Sequence, residues 1–118
     1  MYFENKHIAK AIGLRENSIR QWFSRSPGFE IGTVGSTGRT YSRREAVALL
    51  IAAEILRHRL APPHVALPAA VAAATDGGRE DLFAWIDARG ALRLSPNRPT
   101  DAVAVGIPTA SLLARLAA

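Results

Sequence analysis

A short segment rich in glycine, hydroxyl and arginine residues has the most evident chemistry in this sequence. It is GSTGRTYS, residues 35–42. Backbone N–H groups exposed by glycine, together with hydroxyls and a guanidinium, are groups that bind phosphate in proteins. The phosphate could belong to a bound nucleotide or to a nucleic-acid backbone, or the segment could be a surface turn that binds nothing.

The register of the segment argues against a nucleotide-binding P-loop. That motif requires G-x-x-x-x-G-K-[ST] between a strand and a helix. With Gly38 as the second glycine, Thr33 occupies the position of the first glycine and Arg39 that of the lysine. We therefore expect no nucleotide cofactor.

The other polar residues form no catalytic or metal-binding pattern. The chain has no cysteine, which excludes thiolate metal sites and cysteine nucleophiles. Its three histidines are far apart and lack metal-ligand spacing. The adjacent carboxylates of Glu80 and Asp81 have no evident base or nucleophile beside them in the sequence. We expect no catalytic residue, no metal and no other cofactor, and hence a protein that is not an enzyme.

The positive charge of the chain is concentrated in its first half. The net charge is +5 over 118 residues. Residues 1–60 contain ten Lys and Arg against five Asp and Glu, whereas residues 61–118 contain five of each. Within residues 5–44 the count is eight against two. Such a local excess is typical of a nucleic-acid-binding surface, although a solubilising surface is the simpler alternative.

The elements that would position this surface begin with two short helices. The first is predicted from Asn5, as its N-cap, to Gly13, and the second over residues 15–25. A helix-turn-helix needs a small residue at the crossing, a glycine in the turn and a branched apolar residue on the second helix. Ala9, Gly13 and Ile19 meet these requirements. Further apolar residues support the packing: Ile8, Ile12, Leu14 and Trp22.

A hairpin and a long helix are predicted to follow. Alternation over residues 29–34 indicates a strand, residues 35–38 a turn, and residues 39–41 the returning strand. Ser42 and Glu45 form a capping box that opens a helix to about Leu60.

The second helix, the hairpin and the start of the long helix would present the DNA-contacting side chains. Arg can bind guanine O6 and N7, and Asn or Gln can bind adenine N6 and N7, in the major groove. We interpret Glu16 as a solvated surface residue. The predicted DNA-binding residues are Arg15, Asn17, Ser18, Arg20, Gln21, Ser24, Arg25, Thr37, Arg39, Tyr41 and Arg43.

Three short segments carry a resemblance to a known family. They are residues 18–22 (SIRQW), 39–42 (RTYS) and 45–47 (EAV), the last followed by an apolar run to Leu56. In this order they resemble the T-[LI]-R-x-[YW] core, the R-x-Y-[ST] end of the wing and the next helix of the MerR-family DNA-binding head. The resemblance covers about residues 5–65. Similar heads occur in phage-type repressors, excisionases and terminase small subunits.

The resemblance implies a winged helix-turn-helix in which Arg20 and Arg39 clamp the DNA backbone and Tyr41 supports the wing. Arg15 stands where the family usually has a Ser or Thr cap. The family's long dimerisation helix is replaced here by a segment containing Pro62, Pro63 and Pro68. In the absence of cysteine, we do not expect metal sensing.

The second half is predicted to contain a helix over residues 64–75, shortened or kinked at Pro68, and a stop at residues 76–78. A short helix over residues 79–88 should follow, then strands over residues 92–94 and 102–105. A last helix is predicted over residues 108–116. We hypothesise that this region builds a homodimer or higher homo-oligomer, although the same residues could complete a monomeric core. The candidate interface residues are Phe83, Trp85, Leu112, Leu113 and Leu116.

The predicted fold class is mainly α with small β-hairpins: a winged helix-turn-helix over residues 1–61 and a small α/β C-terminal region over residues 62–118. We expect a sequence-specific double-stranded DNA-binding protein, a transcriptional regulator such as a repressor. An excisionase-like architectural or phage packaging protein, and a protein-interaction module that has lost DNA binding, are the alternatives. No apolar run approaches the roughly 20 residues of a membrane span, so we expect a cytoplasmic, nucleoid-associated protein without membrane contact.

Overall fold

The computed structural model of the chain describes residues 2–36, 38–74 and 80–117. Within these residues it is an α+β fold with five helices and two three-stranded antiparallel sheets. The elements in chain order are β1 (Phe3–Glu4), α1 (Asn5–Ile12), α2 (Glu16–Ser24), β2 (Thr33–Gly35), β3 (Gly38–Tyr41), α3 (Arg43–Arg57), α4 (Pro63–Ala73), β4 (Leu82–Ile86), β5 (Leu92–Ser95), β6 (Val105–Ile107) and α5 (Thr109–Ala117).

The turn between α1 and α2 confirms the predicted glycine. Gly13 has a left-handed backbone with φ of 71°, and the N–H of Leu14 donates to the carbonyl of Ala9. The N-cap of α1 is Glu4 rather than Asn5, and the backbone N–H of Glu4 donates to Nδ1 of His7. The prediction for Asn5 was wrong because this residue is already the first residue of α1.

The first sheet has the order β1-β3-β2, with Val34 opposite Arg39 and Gly35 opposite Gly38. The sequence did not predict β1, and β2 is shorter than the expected strand over residues 29–34. The reason is Gly32, whose φ of 81° interrupts the extended backbone. A Cβ there would lie 2.8 Å from the carbonyl oxygen of Thr40, so only glycine fits without displacing β3.

Helix α3 forms the centre of the molecule. Its capping box is confirmed, because the hydroxyl of Ser42 accepts from the N–H of Glu45 at 3.2 Å. The helix ends at Arg57, slightly before the expected Leu60. Residues 46–55 are all buried, as expected for a helix covered on every side. Arg57 Nη2 donates to the carbonyl of Ile12 at 2.7 Å and so joins the ends of α3 and α1.

The expected helix over residues 79–88 was wrong where the structure describes it, because residues 82–86 form strand β4. The spacing of the apolar residues fits a helix, but burial alternates along the strand, with Leu82 and Ala84 inward. A tight turn then leads to β5: the N–H of Gly90 donates to the carbonyl of Asp87, and Gly90 has φ of 81°. The predicted stop at residues 76–78 lies outside the described residues.

The second sheet has the order β5-β4-β6. Its third strand, β6, begins later than the expected strand over residues 102–105. Helix α4 continues through the exposed Pro68 without the expected shortening at that residue.

The last helix, α5, packs against α1 and α3 and completes one hydrophobic core with both halves of the chain. Leu112 and Leu116 are 2% and 7% exposed. Their assignment to an oligomer interface was therefore wrong, because burial within the chain leaves them inaccessible to a second copy. No helix among the described residues is long and apolar enough to cross a membrane.

Candidate nucleic-acid interface

Helix α2 separates its side chains into an inner and an outer face. Ile19 and Trp22 are buried against the core, which holds the helix in one rotation about its axis. The opposite face is solvent-exposed and polar, and its exposed predicted residues are Asn17, Arg20, Gln21 and Ser24. Amide and guanidinium groups on one exposed helix face can form paired hydrogen bonds with flat polar surfaces.

The start of α2 has a weak cap, as the sequence indicated. Arg15 is the N-cap and is exposed, and it makes no side-chain capping hydrogen bond. The half-buried Ser18 donates its backbone N–H to the carbonyl of Arg15 at 3.0 Å. Glu16 and Arg20 form an exposed ion pair at 3.7 Å. Such a pair contributes only about 0.2–0.5 kcal/mol, so it can open when a stronger anion approaches.

The tip of the β2–β3 hairpin extends into solvent. Val34, Gly35 and Ser36 are exposed, and Val34 retains 68% of its accessible surface. Gly38 has φ of 125° and stands opposite Gly35, where the pairing of the two strands ends. Thr37, one of the predicted contact residues, lies outside the described residues.

Arg39 lies opposite Val34 in this hairpin and is half-buried. Its Nη1 donates to the carbonyl of Ile31 at 2.7 Å, and its guanidinium carbon lies 4.9 Å from the ring centroid of Phe23. The Phe23 ring is in turn stacked with those of Phe29 and Tyr41, each at 6.4 Å between centroids. Neither the carbonyl nor the ring is an anion, so these contacts fix the position of the guanidinium without compensating its charge.

Tyr41 is buried, and its predicted contact with DNA was wrong for that reason. Its side chain is 0% exposed, and its hydroxyl donates to Oδ1 of Asn5 at 2.6 Å. Burial raises the pKa of Tyr41 to about 12. The residue instead joins β3 to the start of α1.

Glu45 joins the hairpin to α3, a role that the capping box alone did not reveal. Its carboxylate accepts from the N–H of Ser42 at 2.9 Å and also from the N–H of Gly32. Burial raises the pKa of Glu45, but the hydrogen bonds from Ser42 and Gly32 outweigh it and hold the pKa below its ordinary value of 4.5. The sequence offers one signal for this contact, an isolated glycine within an apparent strand.

An open groove of about 460 Å³ lies where α1, α2 and the hairpin meet. Arg20 and Arg39, two predicted contact residues, both line it. Lys6, which the sequence did not single out, lines it as well and pairs with Glu4 at 3.2 Å. The complete lining is Glu4, Asn5, Lys6, Glu16, Arg20, Val34, Gly38 and Arg39. Three cations and two carboxylates give the groove a net positive charge of one.

The remaining predicted residues lie on the surface outside this groove. Arg25 is the C-cap of α2 and Arg43 begins α3, and both are exposed. The hydroxyl of Ser24 donates to the carbonyl of Gln21 at 2.9 Å, so its oxygen remains available as an acceptor. The structure thus brings Arg20 and Arg39 together and leaves Arg25 and Arg43 as separate surface charges.

Comparisons of the chain with protein-family models, with curated proteins and with solved structures give no significant match. In the described part of the chain, no group of three or more His, Cys, Asp or Glu side chains is arranged to hold a metal ion. The features that point to a function are therefore the exposed face of α2, the hairpin and the charges between them.

Proposed function

We propose that this chain is a sequence-specific double-stranded DNA-binding protein that acts as a transcriptional regulator. In this proposal α1 and α2 form a helix-turn-helix, α2 enters the major groove, and the β2–β3 hairpin is the wing. The observation that carries the proposal is the convergence of Arg20 and Arg39 on one open groove beside the polar face of α2.

The dimensions of α2 suit this role. Its nine residues give a length of roughly 13–14 Å at 1.5 Å per residue. The major groove of B-DNA is about 12 Å wide, which matches the roughly 10–12 Å diameter of a helix with its side chains. Asn17 and Gln21 lie four residues apart on one exposed side of α2, where each could bind an adenine edge.

The wing would supply positioning rather than base recognition. Most protein–DNA hydrogen bonds go to phosphates and sugars, and these contacts fix the register of the protein on the duplex. The fixed guanidinium of Arg39 loses little conformational entropy when it binds a phosphate, because Ile31 and Phe23 already hold it. Arg20 must first leave Glu16, which makes its phosphate contact the more adaptable of the two.

The charge distribution also supports an interface formed by α2 and the β2–β3 hairpin. Residues 5–44 contain eight Lys and Arg against two Asp and Glu, and they include α2 and the hairpin. DNA binding through such a surface releases counterions, so the affinity should fall steeply as salt is added.

Selection of bound fragments from genomic DNA, followed by affinity measurements on the selected site, tests this function. We expect Arg20→Ala to weaken binding about tenfold or more and to lower the salt dependence by about one ion. Arg89→Ala is the matched control, because Arg89 is an exposed arginine in the β4–β5 turn and should not affect the affinity.

The selected fragments also distinguish the alternatives. A single preferred operator near promoters supports a regulator, whereas clusters of adjacent sites with bent DNA would indicate an architectural or packaging protein. The proposal fails if no fragment is enriched and random DNA does not bind at low salt. That outcome would favour a protein-interaction module.

A further inference from the structure

The three cations that line the groove between α1, α2 and the β2–β3 hairpin differ in their partners. Lys6 Nζ lies 3.2 Å from Oε2 of Glu4, and Arg20 Nη2 lies 3.7 Å from Oε2 of Glu16. Arg39 contacts a carbonyl and an aromatic ring instead of a carboxylate. Both carboxylates line the groove as well. Two negative charges thus lie within a surface that we propose to bind a polyanion.

The two carboxylates differ in their place in the fold. Glu4 is the N-cap of α1 and pairs with Thr40 in the first sheet, so it contributes to the fold itself. Glu16 is the first residue of α2, and its carboxylate contacts Arg20 one turn further along the helix. A negative charge in the first turn stabilises a helix slightly, which is one reason for an acidic residue at this position. That reason concerns stability alone, so an effect of Glu16 on DNA binding can be measured separately.

Glu16 is placed to repel a DNA backbone that approaches Arg20. The side chain of Arg20 is 65% exposed and that of Glu16 is 44% exposed, so the cation is the more accessible of the two. A phosphate can therefore reach Arg20 while the carboxylate remains nearby. Two like charges about 6 Å apart in water repel enough to weaken binding roughly threefold, and the factor grows as water leaves the interface. Glu16 should thus lower the affinity of this surface for any DNA.

One group in the major groove can compensate this repulsion. A carboxylate accepts a hydrogen bond from the N4 amino group of cytosine, whereas guanine and thymine present acceptors that repel it. Glu16 lies one turn before Arg20, on the side of α2 that faces the DNA in the proposed orientation. Its carboxylate can therefore distinguish cytosine from thymine at a position near the start of α2.

We propose that Glu16 is a specificity-determining residue of this interface, an inference that rests on the proposed binding of DNA through α2. Its carboxylate weakens binding to DNA in general and accepts a hydrogen bond from one cytosine of the preferred site. The repulsion is common to all sequences, whereas the hydrogen bond forms only at the preferred site. The ratio of the two affinities therefore rises, because wrong sequences are penalised as well as the right one favoured.

The affinities of Glu16→Gln for random DNA and for the selected site test the repulsion. Gln keeps the shape of the side chain and removes its charge. At low salt we expect the affinity for random DNA to rise about three- to tenfold, and that for the selected site to rise less or to fall. Glu30→Gln is the matched control and should change either affinity less than about twofold. Glu30 is exposed and is the other acidic residue of the basic segment 5–44, but it does not line the groove.

Base substitutions in the selected site test the hydrogen bond. Replacement of a C·G pair by T·A exchanges the N4 donor of cytosine for the O4 acceptor of thymine. At one C·G pair the wild-type chain should lose about tenfold in affinity. Glu16→Gln should lose less than about threefold at that pair, because an amide can either accept or donate. The other C·G pairs should affect both proteins equally.

Glu16→Asp separates the effect of the charge from that of the side chain's identity. It keeps a negative charge at the start of α2, so its affinity for random DNA should stay within about twofold of the wild-type value. Thermal unfolding of the three variants verifies that each is folded, and a lower melting temperature alone would not raise the affinity for random DNA.

Equal gains for random DNA and the selected site in Glu16→Gln would overturn the inference, and so would the same gain in Glu30→Gln. A selected site in which no C·G pair distinguishes the wild type from Glu16→Gln would also overturn it. Each of these results leaves the proposed function intact, because the wild-type chain still prefers its selected site. A chain that binds no DNA would overturn the proposed function and this inference together.

Discussion

Each half of the chain contains an antiparallel hairpin whose second strand carries an arginine, Arg39 in β3 and Arg93 in β5. Arg93 Nε donates to Oδ2 of Asp87 at 2.8 Å, so a carboxylate neutralises its charge. Arg39 is held instead by the carbonyl of Ile31 and the ring of Phe23, which carry no net charge. The charge of Arg39 is therefore not compensated by these contacts, whereas Arg93 stabilises its own turn.

The two hairpins also differ in the residues that anchor them. Asp87 closes the β4–β5 turn from within, since its Oδ1 accepts from the N–H groups of Arg89 and Ala91. The β2–β3 hairpin is anchored from outside, by Glu45 of α3 through the N–H of Gly32. A hairpin anchored to the core by its base leaves its tip free for contact with another molecule, which is the property that a wing requires.

The largest expected effect distinguishes two glycines that have the same φ angle. Gly32 and Gly90 both have φ of 81°. Gly32→Ala places a Cβ 2.8 Å from Thr40 and should cost about 3 kcal/mol, the sum of backbone strain and overpacking. Gly90→Ala meets no atom within 4 Å and should cost about 1 kcal/mol from its backbone alone. Chemical denaturation of both variants measures the difference, and equal losses would show that the Gly32 contact is unimportant.

The second-largest expected effect is a difference in DNA affinity between variants of Arg39 and Arg93. Arg39→Ala should weaken binding to the selected DNA about tenfold, because it removes a fixed cation. Arg93→Ala should leave the affinity unchanged within error, since Asp87 already neutralises that charge. Titrations at two salt concentrations compare the variants. A loss of affinity in Arg93→Ala as large as in Arg39→Ala would contradict the assignment of the interface to the first hairpin.

The smallest effect is a difference in acid stability. The folded pKa of Glu45 lies below 4.5, so its contribution is present above pH 4.5 and is lost as the pH falls through the folded value. Asp87 also stabilises the fold more at higher pH, because hydrogen bonds from Ala91 and Arg93 hold its pKa below 3.8. In thermal melts, Glu45→Gln should therefore lack the loss of stability that begins near pH 4.5 as the pH falls. Asp87→Asn should lack only the loss of stability that begins near pH 3.8. For Glu45 we expect less than about 1 kcal/mol, since solvent still partly screens this half-buried group. An unchanged pH profile in Glu45→Gln would show that the link to Gly32 contributes nothing.

Local signals predicted the helical part of the fold well. The Ser42 capping box, the glycine at position 13 and the helical spacing of Ile8 and Ile12 each depend on residues within one or two turns. For that reason α1, α2 and the start of α3 lie within about a residue of their predicted positions. The exposed residues of α2 were predicted for the same reason, because the burial of Ile19 and Trp22 determines the opposite face.

Strand predictions were less accurate because pairing joins distant residues. β1 has two residues and exists only because Phe3 pairs with Tyr41. The apolar residues over 79–88 are compatible with either a helix or a strand. Residues 82–86 form a strand because they pair with both β5 and β6. The turn residues Asp87 and Gly90 were the signal that could have indicated a hairpin there.

The sequence by itself determined the basic first half, the glycine turn, the Ser42 cap of α3 and the polar face of α2, because each is a property of neighbouring residues. Tertiary structure alone decided that Tyr41 is buried, that Leu112 and Leu116 belong to the core, and that Lys6 lies beside Arg20 and Arg39. These facts depend on which surfaces of distant segments meet. Burial and charge neutralisation depend on contacts between distant segments, and neighbouring residues alone do not reveal them.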